Sequence, residues 1–260
     1  MRALSALTLA LMLAAIAVAD NPKYSTGSIV NAADNQLGPL AANAIGTIYG
    51  QNLAYGTASL TANDVIAGVL PTFLAGTDVS VLVGGLAANL YYASPTQINF
   101  LVPCNLLPGP VNLQLVINGL AGPAVPIQLA PSSPALFMLD LKNAVATRPD
   151  GSVVTPDNPA APGDIVILYA TGLGQTSPAV ECGVLPTKAA PLADIANFTI
   201  VLDGTAVDPS AILYAGIAPG FAGLYQINVT LPNSTGANPQ LQIGFSGALS
   251  PTGVFLPVQP

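Results

Sequence analysis

The sequence has no histidine and no tryptophan, five lysines and arginines together, and two cysteines in 260 residues. Each shortage excludes something. Without histidine there is no Ser-His-Asp or Cys-His arrangement to activate a nucleophile, and the commonest metal ligand is missing. A Ser-Lys pair needs a lysine held in a desolvated site, whereas Lys23, Lys142 and Lys188 stand in polar or proline-rich surroundings. So few cations, in a chain of net charge −7, cannot neutralise a run of phosphates. Nucleic acid is therefore not an expected partner, and neither is an anionic membrane surface. Charged residues are 7% of the chain, against about 25% in a typical soluble domain. Hydrophobic residues reach 52%, yet beyond the N-terminus no apolar run approaches the length of a membrane-spanning helix.

What is abundant is punctuation. Twenty-five glycines and 25 prolines cut the chain into short apolar segments, the pattern of short strands joined by turns. They are too dense for the uninterrupted strands of about 9–11 residues that an outer-membrane barrel requires. The N-terminus has another logic: Arg2, an apolar run from Ala3 to Ala17, then Ala17-Val18-Ala19 before Asp20. This is the pattern of a secretory signal peptide over residues 1–19. The expected destination is secreted, periplasmic or cell-surface, with no membrane insertion after cleavage.

One stretch occurs twice. Tyr91-Tyr92-Ala-Ser-Pro-Thr-Gln97-Ile98-Asn99-Phe-Leu-Val-Pro103 is echoed by Leu224-Tyr225-Gln226-Ile227-Asn228-Val-Thr-Leu-Pro232. In the second copy Tyr225, Ile227, Val229 and Leu231 alternate with Gln226, Asn228 and Thr230, the period of a half-buried strand. Proline closes each copy by removing a ladder donor. Other landmarks recur in the same order: Tyr49 with Tyr169, Gly85 with Gly204, Tyr92-Ala93 with Tyr214-Ala215, and Leu113-Gln114 with Leu241-Gln242. The spacing lengthens across Gly216–Gly223, an insertion in the second copy. These matches indicate an internal duplication, with domains over 20–130 and 131–260. Gly84-Gly85 and Asn118-Gly119 mark hairpins, the first expected to return as a strand near Asn89–Tyr92. The proline-rich segment 130–162 is assigned to the start of the second domain, with a turn at Arg148-Pro-Asp-Gly151.

Asn158-Pro-Ala-Ala-Pro-Gly163, Leu168-Tyr-Ala-Thr-Gly-Leu-Gly174, Leu213-Tyr-Ala-Gly216, Ala218-Pro-Gly-Phe-Ala-Gly-Leu-Tyr-Gln-Ile-Asn228 and Ser94-Pro-Thr-Gln-Ile-Asn99 carry a family resemblance. They resemble the IPT/TIG branch of immunoglobulin-like folds, and more closely the paired immunoglobulin-like region at the carboxy end of many secreted acidobacterial proteins. The resemblance covers essentially all of 29–258 and is specific in the second copy. It implies an all-β fold of two tandem immunoglobulin-like β-sandwiches. It implies no activity, cofactor or catalytic residue.

The remaining constellations point to structure more than chemistry. Glu181 and eleven aspartates could supply a glycosidase pair, but most of the aspartates adjoin Gly, Pro or Asn, where turns use them. Asp150, Asp157 and Asp164 are close enough in sequence for a calcium site, yet lack any known loop spacing. Thr171-Gly-Leu-Gly-Gln-Thr-Ser177 opens like a dinucleotide loop but lacks its third glycine and a succeeding helix. Tyr49, Tyr92, Tyr169 and Tyr214 recur at matched places, which favours packing over a sugar-binding platform. Cys104 and Cys182 leave three states open: a disulfide joining the two domains, two free thiols, or a bridge to another chain. The expected function is a non-catalytic structural or interaction module of the envelope or extracellular space, meeting a protein or glycan partner at the cell surface. Glycan or polymer binding is the alternative. Ligand contacts are expected where the copies differ, at 54–70 and 216–223, and the Gln-Ile-Asn strands are expected to be structural.

Overall fold

The computed structural model describes residues 21–260, so the expected signal peptide lies outside the described residues. The chain is all-β, and its strands form four open sheets. Two belong to the first half. One runs in the order Ile29–Asn31, Ile45–Tyr49, Gln97–Leu101, Asn89–Ala93, Ala58–Ser59. The other runs Leu40–Ala41, Val125–Ala130, Gly109–Ile117, Val79–Val83, Leu86–Ala87. The second half repeats the arrangement. Ala135–Leu136, Ile165–Thr171, Tyr225–Thr230, Ile212–Ile217 and Ala190–Pro191 make one sheet, and Thr205–Ala206, Phe198–Leu202, Leu241–Phe245 and Ala248–Leu249 the other.

Alternation explains why these sheets stack. Val79, Val81 and Val83 are buried while Ser80 and Leu82 are not, and Phe198–Leu202 and Tyr225–Thr230 obey the same rule. One cluster combines Ile48, Ile98 and Phe100 from one sheet with Val81, Leu113 and Leu115 from the other. A second combines Val166, Leu168 and Ile227 with Ile200, Leu241 and Ile243. Each half is thus a two-layer sandwich around its own core.

After the Gly84-Gly85 hairpin the chain departs from expectation. Both glycines have positive φ and form a two-residue turn, but the returning strand is only Leu86–Ala87. Ala88 and Leu90 are completely buried, so the chain dives between the layers and Asn89–Ala93 pairs with Gln97–Leu101 in the opposite sheet. The second half does likewise after Asp203-Gly204: Thr205–Ala206 pairs back, and Ile212–Ile217 joins the other sheet. The segment 130–162 is ordered by pairing, since Ala135–Leu136 and Ala146–Thr147 both flank Ile165–Thr171. Gly151 N–H closes the Arg148 turn on the Arg148 carbonyl at 2.9 Å.

Candidate functional site: the seam between the sandwiches

The duplicated motif occupies equivalent positions in both halves. Ile98 and Ile227 are fully buried, and each lies on a central strand. Gln97 Nε2 donates to Asn99 Oδ1 at 2.9 Å, and Gln226 Nε2 donates to Asn228 Oδ1 at 2.8 Å. The amides therefore serve one another along the polar face, and Asn99 also accepts from Thr47 Oγ1 at 3.1 Å. Strand Gln97–Leu101 stops before Pro103, and Tyr225–Thr230 stops before Pro232. The Pro232 carbonyl then accepts from Thr235 N at 3.0 Å.

The two halves are joined by elements that differ between the copies. Cys104 and Cys182 form a disulfide with Cα atoms 5.2 Å apart. Beside it, Leu70 N donates to the Gly183 carbonyl and Leu185 N to the Gly68 carbonyl, both at 2.8 Å, around an antiparallel bridge between Val69 and Val184. This is a two-sided ladder between loops of different halves. Thr171, with no exposed surface, is the polar hub: its Oγ1 donates to the Gly223 carbonyl at 2.7 Å and accepts from Ile45 N at 3.0 Å. Tyr91 donates its hydroxyl to the Ala222 carbonyl at 2.6 Å, and burial pushes its pKa far up. A small apolar cluster of Leu70, Leu101 and Ala222, flanked by Ile45 and Leu185, fills the remainder.

Glycine makes the close approach possible. Gly223 has φ +71°, and a Cβ there would lie 2.5 Å from Leu101 Cδ1 and 2.9 Å from the Asn43 carbonyl oxygen. Tyr91 reaches the seam because it sits at a β-bulge, where the register shifts between Leu90 and Tyr92. The second half has a bulge at the matching place, between Ile212 and Tyr214, and the bulged Leu213 is left exposed.

Most of the aromatic expectations resolve toward packing, with one correction. Tyr92, Tyr169 and Tyr214 are half-buried, but Tyr49 is exposed and bonds Asn35 Oδ1 at 2.8 Å. The fully buried tyrosine is Tyr225, beside the second repeat landmark, while Tyr91, beside the first, is half-buried. Tyr225 donates to the Gly174 carbonyl, and burial pushes its pKa up to about 12 against a smaller lowering from the neighbouring Asn43 amide. That contact falls short of hydrogen-bond geometry. Asn43 Nδ2 is left as a buried donor without a partner among the described residues.

The loop 171–177 works as seam. Thr171 bonds across to Ile45, and Gly172 and Gly174 lie against the backbone of Ser133 and Pro131 at the start of the same half. The aspartates serve turns: Asp150 accepts from Ser152 N–H and hydroxyl, which hold it below the usual carboxylate range. Asp164 accepts from Ala161 N at 2.9 Å and faces Arg148 at 3.7 Å. Among the described residues no group of three or more His, Cys, Asp or Glu is placed to hold a metal ion. No helix among them is long and apolar enough to cross a membrane. Thr171 and Asn43 were not legible as seam residues in sequence. The available signal was divergence, since Thr171 stands where the first copy has the exposed Gln51.

The fold and the seam define a tandem β-sandwich protein whose halves are covalently and sterically joined. No family model matches the chain, and no curated protein matches it. Among solved structures it is similar to SGBP-B of the Bacteroides ovatus mixed-linkage glucan utilization locus, solved with a mixed-linkage heptasaccharide. The identity is 12% and the TM-score 0.34, covering 94% of this chain and 47% of that one. It is also similar to domains 5–6 of the S-layer protein SbsC, at 11% identity and TM-score 0.27 over 92% of this chain and 98% of that one. The Yersinia pseudotuberculosis adhesin InvE gives 14% identity and TM-score 0.23, over 91% and 60%. The chain spans less than half the length of SGBP-B and of its Prevotella bryantii counterpart, 47% and 41%.

Proposed function

We propose that this chain is a secreted, non-catalytic structural or interaction module of the cell envelope or extracellular space. It is built from two immunoglobulin-like domains of the IPT/TIG kind, residues 20–130 and 131–260. The observation that supports this reading most is the seam. A disulfide, an inter-loop ladder and glycine-dependent packing hold two complete sandwiches in one fixed relation, which suits an element that sets distance and orientation between other surfaces. A disulfide joining the halves also suits an oxidising compartment, in keeping with a signal peptide at 1–19. Low charge and polar outer strand faces suit contact with other proteins.

Glycan or polymer binding is the second reading. The exposed loop aromatics Tyr55, Phe73 and Phe221, two of them in the segments where the copies diverge, favour it. Purified mature protein presented to native cell-surface fractions, beside a glycan array, separates the two. Capture of a defined envelope protein is expected. Specific glycan capture without protein capture would overturn the first reading in favour of the second.

A further inference from the structure

The seam is not closed along its whole length. On one side the halves part to leave a cleft of about 590 Å³, lined from the first half by residues 42–43, 104, 106–108 and 129–130 and from the second by 131–132, 173–176, 179–180, 193–194, 245–246 and 248. That volume falls within the range of about 300–1,000 Å³ typical of small-molecule sites, and junctions between domains are where such sites concentrate. The walls are mostly apolar, with Leu107, Leu173, Val180 and Phe245 among them. Cys104 is part of the wall, so the disulfide fixes its width on one side.

The chemistry of the few polar groups is specific. No lysine or arginine lines the cleft, and its one charged residue is Asp194. Asp194 Oδ1 accepts from Asn197 Nδ2 at 2.7 Å, and Oδ2 has no protein partner among the described residues. An anion brought into this cleft would lose water without gaining a cation. Asn43, also part of the lining, is 5% exposed, and its Nδ2, beside the Tyr225 hydroxyl, makes no hydrogen bond among the described residues. A buried amide donor without an acceptor is costly and calls for one.

We propose that this cleft binds a small, non-anionic, largely apolar molecule bearing an acceptor oxygen such as a ring carbonyl, with Asn43 Nδ2 as its hydrogen-bond donor. The proposal stands apart from the structural role of the seam, because a module that only sets distance needs no cleft. Three features select the occupant: the wall selects an apolar body, Asp194 rejects anions, and the free amide selects an acceptor.

Nile red, an uncharged polycyclic dye with one ring carbonyl, is a suitable probe. Titrated into the full oxidised protein, it is expected to bind saturably at one site per chain with blue-shifted emission. Ala179→Trp places bulk in the cleft from an exposed position and should weaken binding by roughly tenfold or more. Asn43→Gly keeps the positive φ at this position and removes the donor. Loss of one hydrogen bond should weaken dye binding roughly three- to tenfold. Melting curves and thiol counts identical to wild type show that each variant is folded and oxidised. Non-saturable partitioning, or equal saturable binding by wild type and Ala179→Trp, would overturn the site. Equal or tighter binding of an anilinonaphthalene sulfonate at the same site would overturn the exclusion of anions.

Discussion

Gly223 offers the sharpest test of the seam. Gly223→Ala places a methyl group 2.5 Å from Leu101 Cδ1, 2.9 Å from the Asn43 carbonyl oxygen and 3.0 Å from Ile45 Cγ1, at φ +71°. The left-handed backbone costs an alanine about 1–2 kcal/mol. The Leu101 methyl can rotate away, but the Asn43 carbonyl is backbone, and overpacking of this kind costs about 1–3 kcal/mol. Together they amount to about 2–5 kcal/mol. On the other side, Leu70 and Leu101 can contribute at most about 1.5–3 kcal/mol each, part of which their own sandwich already supplies. The perturbation is thus comparable with the burial of these two leucines. Leu101, which Gly223 meets, belongs to the seam cluster and to neither main core, so the sandwiches should survive while the seam opens.

Hydrogen exchange reads this directly. The amides of Ile45, Leu70 and Leu185 have acceptors in the other half, and they should exchange roughly tenfold faster or more, at 1.4 kcal/mol per decade. The amides of Ile98 and Ile227, deep in the separate cores, should keep their protection. Gly220→Ala is the matched control, because it has φ +85° and nothing within 4 Å, so it carries the backbone cost alone. In a Cys104→Ser/Cys182→Ser background the tether is gone, and Gly223→Ala should split the calorimetric melt into two transitions. Unchanged exchange at Ile45 and Leu70, or equal acceleration at Ile98 and Ile227, would refute the view that two cores meet at a glycine-dependent seam.

Two further outcomes are expected. Tyr225 has its pKa raised to about 12 from 10.0 by burial, so the unfolded state loses this proton first. The linked stability is complete below pH 10 and falls as pH rises toward 12, by about 3 kcal/mol for a shift of this size; Tyr225→Phe should reduce the fall of urea midpoints across that window, the remainder coming from Tyr91, which burial also raises, and an unchanged slope would contradict the assignment. The paired bulges should respond oppositely. Tyr91→Phe removes the bond to Ala222 and should cost about 1 kcal/mol, whereas Leu213→Asp, at an exposed bulge, should stay within about 0.5 kcal/mol of wild type by denaturant titration.

The matched ends of the two sandwiches show why only one of them docks. Asn43 N donates to the Val102 carbonyl at 3.0 Å, and Gly163 N donates to the Leu231 carbonyl at 2.9 Å, so these positions are equivalent. By the same register Ala44 corresponds to Asp164, and Leu101 to Thr230. The first sandwich presents small and apolar groups at this end, and the second half covers them. The second sandwich presents an aspartate paired with Arg148, which stays solvated.

The segments 54–70 and 216–223 illustrate how far sequence reading reaches. Their divergence between copies marks them as special, and ligand binding is the expectation it raises. The structure spends Gly68, Leu70, Ala222 and Gly223 on the seam, while Tyr55, Ile66 and Phe221 remain exposed. The Gly84-Gly85 hairpin is legible because its turn is set by two adjacent residues. The strand after it is not, because the crossing at Ala88 answers to the opposite sheet.

By itself the sequence determined what depends on near neighbours. Alternation in Val79–Val83 and Tyr225–Thr230, the hairpin glycines and the repeated Gln-Ile-Asn strands specify half-buried strands in two similar units, because strand period and turn geometry are local. Only the tertiary structure decided that Cys104 meets Cys182, that Thr171 bonds across to Ile45, and that Asn43 is left with a free donor beside a cleft. Those facts depend on which end of one sandwich faces which end of the other. That choice rests on the fit of Gly223 against Leu101 and Asn43, a fit between surfaces distant in sequence that no periodicity records.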